Sequence, residues 1–164
     1  MIKFSRLAAA TAVVIACAAG GSRAAAPRTN FEDLAGRWSG VGQVEWKSGR
    51  REPYQCVVTY YLGDGGASMK QQLRCKNGGT ENKLDLATAV RVNGGRITGT
   101  WEDRLYSMTG TVSGKVTPTG YEADASNAMF RARFEIEMAS ACEQSVTIRP
   151  SRDIEVITAL LKKC

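Results

Sequence analysis

From residue 38 onward the chain alternates apolar and polar positions with a period of two. Trp38, Gly40, Gly42, Val44 and Trp46 fall on one side, with Ser39, Gln43 and Glu45 on the other, the signature of a half-buried strand. Residues 54–62 repeat the pattern, placing Tyr54, Cys56, Val58, Tyr60 and Leu62 on one face. Alternating runs follow at 67–75, 83–92, 96–103, 107–116, 121–125, 128–138, 144–149 and 154–162. Turn-forming residues separate most of them, as in Gly63-Asp64-Gly65-Gly66, Asn77-Gly78-Gly79, Asn93-Gly94-Gly95, Pro118-Thr119-Gly120 and Pro150-Ser151. The pattern predicts about ten short strands. Such brief links make neighbours antiparallel, because a parallel pair needs a crossover of about a dozen residues or more.

Two stretches depart from plain alternation. Ile154, Ile157 and Leu161 also fit one face of a helix, and strand is the preferred reading. Asn30 to Gly36 reads as a helical turn with Asn30 as cap and Gly36 as terminator. A face that is apolar on every strand must be covered, and an up-and-down antiparallel β-barrel of about ten strands covers it by rolling it inward. Gly40, Gly42, Gly99, Gly110 and Gly114 lie on the inward face and suit sharply bending strands. A two-sheet sandwich satisfies the same alternation; the barrel is the expected fold, all-β within one domain, 30–164.

The first residues read differently. Lys3 and Arg6 precede an uncharged, mostly apolar stretch, residues 7–16, the layout of an export signal. Ten helical residues span only about 15 Å, against about 30 Å of hydrocarbon, so this is no resident transmembrane helix. Two processing routes are open. Val14-Ile15-Ala16-Cys17 resembles a bacterial lipobox, in which Cys17 is acylated, leaving 1–16 as the signal and 17–29 as a tether. Ala24-Ala25-Ala26 offers ordinary signal-peptidase cleavage, making 1–26 the signal. With Ala18 after the cysteine, the lipobox reading resembles lipoproteins sorted to the outer membrane. Both routes place the domain in the periplasm or at the outer membrane of a bacterium.

Five cysteines then resolve into Cys17 plus an even set, Cys56, Cys75, Cys142 and Cys164, able to form two disulfides in an oxidising space. If the hairpin about Gly63–Gly66 pairs residues whose numbers sum to 131, Leu62 faces Met69, Tyr60 faces Gln71, Val58 faces Leu73 and Cys56 faces Cys75. The cysteines therefore meet in the register that the apolar residues choose. Cys142 and Cys164 are left to each other, a bond that would pin the C-terminus.

Composition removes several function classes. The formal charge is +6, but residues 1–26 hold Lys3, Arg6 and Arg23 and no acid, so a chain starting at Pro27 carries +3. Its arginines alternate with acids, as in Arg131-Ala132-Arg133-Phe134-Glu135-Ile136-Glu137, the look of a solvated strand face, and nucleic-acid binding is not expected. There is no histidine, which removes Ser-His-Asp and Cys-His nucleophilic sites and histidine-held zinc or haem. No cofactor or metal is expected. The acid pairs Glu102-Asp103 and Glu135/Glu137 are read as surface residues, and the chain is expected not to be an enzyme. What the inner face does offer is aromatic: Trp38, Trp46, Tyr54, Tyr60, Trp101, Phe130 and Phe134. These either fill the core or line a cavity for a small apolar ligand, since ten strands enclose more space than side chains need fill.

Phe31-Glu32-Asp33-Leu34-Ala35-Gly36-Arg37-Trp38-Ser39-Gly40-Val41-Gly42 resembles the start of calycin barrels, the lipocalins, fatty-acid-binding proteins and nitrobindins, with a helical turn leading into G-x-W. The C-x-V-x-Y, L-R-C and G-T-W-E strands are similar to those of exported alphaproteobacterial proteins. The resemblance implies that Trp38 plugs the closed end of the barrel and that an arginine of the last strands, Arg149, packs across it. Nitrobindin haem does not carry over without histidine. The resulting expectation is an exported barrel binding a small hydrophobic ligand, touching membrane only through an acyl chain on Cys17, with no protein partner indicated. The alternative is an envelope interaction or inhibitor-type protein that uses the barrel as a platform and presents the turn Trp46-Lys47-Ser48-Gly49-Arg50-Arg51.

Overall fold

A computed structural model describes residues 31–78 and 83–164. Residues 1–30, which carry the expected export signal, tether, Cys17 and the Asn30 cap, lie outside the described residues. Ten strands run in chain order: β1 (Gly36–Trp46), β2 (Arg51–Gly63), β3 (Ser68–Lys76), β4 (Leu84–Asn93), β5 (Arg96–Asp103), β6 (Met108–Thr117), β7 (Gly120–Ser126), β8 (Arg131–Ser140), β9 (Glu143–Pro150) and β10 (Ile154–Lys162). Each pairs antiparallel with its sequence neighbours, and β1 pairs with β10 from Ser39↔Lys162 to Trp46↔Ile154, closing the barrel. Closure settles barrel over sandwich and strand over helix for residues 154–162. The helical turn is a 3-10 turn, Phe31–Leu34.

The hairpin register is the one chosen by the apolar residues. Leu62 pairs with Met69, Val58 with Leu73 and Cys56 with Cys75. Cys56–Cys75 is a disulfide between directly opposed residues with Cα atoms 4.1 Å apart. It closes a loop worth about 3 kcal/mol in the chain-entropy description. Cys142–Cys164 is the second disulfide, and beside it the Lys163 amide donates to the Cys142 carbonyl. Two such bonds belong to a protein outside the reducing cytoplasm. Among the described residues no helix is long and apolar enough to cross a membrane.

Inward positions carry the core. Trp38, Val58, Met69, Ile97, Ile136 and Leu161 are buried, and outward positions carry charge. On the outer wall Arg133 pairs with Glu122, Asp124 and Glu135, and Arg149 with Glu135. Arg149 therefore faces solvent, because the inward positions of β9 are Gln144, Val146 and Ile148, and it does not cross Trp38. That place belongs to Lys163, whose ammonium sits 4.8 Å from the Trp38 ring centre and donates to the carbonyls of Asp33 at 2.7 Å and Ala35 at 3.3 Å. The Trp38 indole N–H donates to the Leu34 carbonyl at 2.8 Å. The 3-10 turn, its exit through Gly36 at φ +114° and the chain end thus form a complete plug.

Candidate ligand-binding cavity

Above the plug the interior is polar before it is hollow. The Tyr60 hydroxyl donates to Gln144 Oε1 at 3.1 Å, and the Tyr121 hydroxyl donates to Gln71 Oε1 at 2.8 Å. All four residues are buried. Burial pushes both phenols well above the usual tyrosine range; for Tyr121 the neighbouring Tyr60 adds to the rise, whereas for Tyr60 its hydrogen bonds to Tyr121 and Gln144 oppose it. Both phenols therefore stay neutral, and the layer is paired through its two phenol–amide hydrogen bonds, while the buried Gln144 side-chain nitrogen has no hydrogen-bond partner among the described residues. Gln71 and Gln144 were detectable in advance, as polar residues standing at inward positions between Met69 and Leu73 and ahead of Val146 and Ile148.

Toward the other end the barrel opens into a cavity of about 350 Å³, within the size range of small-molecule sites. Trp46, Tyr54, Trp101, Phe130 and Phe134 line it, together with aliphatic residues such as Leu84, Leu86 and Ile157. Five of the seven predicted aromatics therefore meet there. Trp38 and Tyr60 do not: Trp38 belongs to the plug and Tyr60 to the polar layer, although both share the inward parity of β1 and β2. Parity selects the interior, and depth along the barrel then separates plug, layer and cavity.

The aromatic wall is held from several elements. The rings of Trp101 and Phe130 lie 5.6 Å apart between centres, tilted by 59°, a favourable arrangement for aromatic quadrupoles. The Trp101 indole N–H donates to the Ser126 carbonyl at 3.3 Å. Gly110 on β6 makes the space for this ring, since a Cβ there would stand 2.4 Å from Trp101 Nε1. Trp46 carries the Arg50 guanidinium over its ring at 4.6 Å, while its buried indole nitrogen has no hydrogen-bond partner among the described residues. The Tyr54 hydroxyl donates to Glu52 at 3.2 Å; burial, and then that carboxylate, raise its pKa.

Polar groups gather at the mouth. Arg152, Asp153 and Tyr106 border the cavity, and so does Asp103. The surface reading holds for Glu102, which is exposed and pairs with Arg104, but not for Asp103. Asp103 continues the inward series Ile97, Gly99, Trp101 and is 6% exposed. Its Oδ1 accepts the amides of Leu105 at 2.9 Å and Tyr106 at 3.3 Å, so one oxygen caps the turn. Glu135 and Glu137 stand on the outer wall as expected, and the hydrogen bond from Arg149 leads the effects that hold Glu135 below the usual carboxylate range.

No family model and no curated protein sequence matches the chain. The fold, however, is shared with known structures of the calycin-like kind. The S-type phycobiliprotein lyase CPES from Guillardia theta superposes with a TM-score of 0.54 at 13% identity, over 80% of this chain and 86% of that one. A DUF3598-family protein of unknown function from Nostoc punctiforme gives 0.55 at 13% identity, over 85% of this chain and 51% of that one; the chain spans about half its length. These likenesses establish the fold alone. They do correct one expectation: a lyase is built on this barrel, which counts against assigning the chain as a non-enzyme.

Proposed function

We propose that the protein is an exported barrel that takes up a small apolar ligand through its open end. The observation that carries this reading is the 350 Å³ cavity walled by Trp46, Tyr54, Trp101, Phe130 and Phe134. Removing a flat apolar molecule from water into such a wall is worth about 25 cal/mol per Å² of buried surface. Polar groups confined to the mouth would orient it. The disulfides support a working place outside the cytoplasm, and the sequence around Cys17 supports the periplasm or outer membrane, with an acyl anchor where that cysteine is processed as a lipobox.

Titration with the neutral fluorophore N-phenyl-1-naphthylamine tests the cavity. The expected result is saturable binding at one site, abolished by Leu86→Trp or Met108→Trp, each of which fills the hollow from a different strand. Absence of saturation in the wild-type chain, or binding unchanged in both filled variants, would remove the reading. Palmitate labelling that disappears in Cys17→Ser tests the anchor separately.

A further inference from the structure

The two ends of the barrel differ in charge as well as in closure. Four connections at the open end are fully described: residues 47–50, 104–107, 127–130 and 151–153. They hold Lys47, Arg50, Arg104 and Arg152 against Asp153, while Glu52 and Glu102 at the adjoining strand ends pair with Arg50 and Arg104. At the plugged end, residues 31–35, the inter-strand turns and the last two residues hold Glu32, Asp33 and Asp64 against Lys163 alone, and that lysine is turned onto Trp38.

Large apolar residues are exposed on the same basic rim. Leu105, Tyr106 and Met129 are 43%, 68% and 65% exposed. Their loops share one construction. Asp103 Oδ1 accepts the amides of Leu105 and Tyr106, and Asn127 Oδ1 accepts those of Met129 and Phe130 at 2.9 and 2.8 Å. Each turn is thus pinned by the side chain just before it, and each presents an apolar tip beside the cavity mouth. Arg152 ties a cation to one tip by donating to the Met129 carbonyl at 2.9 Å. Solvent alone gives no reason to hold apolar side chains rigidly outward among cations. An interface with an apolar interior and an anionic surface does.

We propose that the open rim docks on an anionic lipid surface, with Leu105, Tyr106 and Met129 entering the interface and Lys47, Arg50, Arg104 and Arg152 meeting the headgroups. The cavity mouth would then face the lipid, where apolar ligands partition. The docking face is independent of what fills the cavity, and it adds a second membrane contact to any anchor at Cys17.

The test is vesicle co-sedimentation of the Cys17→Ser chain, which has no acyl chain to contribute. The probes are vesicles of phosphatidylcholine alone and of phosphatidylcholine with phosphatidylglycerol. Binding to the anionic vesicles is expected, weakening as salt rises. Leu105→Ser with Met129→Ser is expected to lower it about tenfold or more, and Lys47→Gln with Arg104→Gln about fivefold per charge removed. None of these four residues lines the cavity, so N-phenyl-1-naphthylamine uptake without vesicles is expected to stay at the wild-type value. This separates loss of docking from loss of the cavity reading. No binding, equal binding to both vesicle types, or binding that survives both double variants would overturn the proposal. Capture of a protein partner through these loops by a chain that ignores vesicles would overturn it too.

Discussion

Trp38 and Trp46 stand on the same face of β1, one at each end of the barrel, and their surroundings are opposite. Trp38 is fully buried, its indole N–H donates to Leu34 and Lys163 covers its ring. Trp46 is half-buried beside the hollow, its indole nitrogen has no partner and its covering cation, Arg50, comes from an exposed turn. The segments that flank the strands explain the difference. The 3-10 turn enters at the Trp38 side, and the C-terminus returns there under the Cys142–Cys164 bond. Among the described residues, the Trp46 side holds hairpin turns and the flanks of the β3–β4 connection. One end spends its side chains on stability, and the other leaves apolar wall uncovered for something else.

The largest expected effect breaks this pair apart. Trp38→Ala should lower unfolding free energy by about 3–5 kcal/mol, as for a large side chain removed from a packed interior. Trp46→Ala should cost a fraction of that and instead weaken N-phenyl-1-naphthylamine binding. Urea melts of both variants, with the ligand titration alongside, measure the split. Equal stability losses would mean that the open end is part of the core rather than a site.

The neutral layer between the ends provides the next test. In the unfolded chain Tyr60 and Tyr121 release their protons near pH 10, whereas burial holds both phenols protonated well above that in the fold. The unfolded state therefore binds fewer protons once the pH passes about 10, and stability falls from there upward. The slope is up to about 1.4 kcal/mol per pH unit for each phenol. Tyr60→Phe should flatten the fall by one phenol's share in urea melts taken as a function of pH. A stability that stays level through this range would show the layer to be open to solvent, and the boundary between plug and cavity would go with it.

Strand positions and the β2–β3 register were legible because they depend on parity, and parity is written into every second residue; closure was not, since a sandwich satisfies the same alternation and only the β1–β10 pairing excludes it. The disulfides agreed because Cys56 and Cys75 share the inward parity of Val58 and Leu73. Depth is not written that way. Nothing in the alternation distinguishes Trp38 from Trp46, or Tyr60 from Tyr54, since each pair shares a strand face and differs only in distance from the plug. Asp103 reads as a surface residue because it stands at a strand end beside Arg104, whereas its parity with Trp101 turns it inward. The resemblance alone assigns Arg149 to Trp38, whereas its parity beside the inward Ile148 puts it on the outer wall. Lys163 lies past the last strand, where alternation has ended and only the closed fold can say what it touches.

The smallest effect concerns the two cations over the two tryptophans. Lys163 combines its place on the Trp38 ring with two hydrogen bonds to carbonyls of the entering turn. Lys163→Met keeps the packing stem but removes the charge, and the expected loss is about 1–2 kcal/mol. Arg50 covers Trp46 while its side chain remains 60% exposed and paired with Glu52. Solvent weakens both contacts, so Arg50→Met should cost about 0.5 kcal/mol or less. Paired urea midpoints decide between them. If Arg50 proved as costly as Lys163, the open rim would be braced as firmly as the plug, and its cations would be explained by stability rather than by an anionic surface.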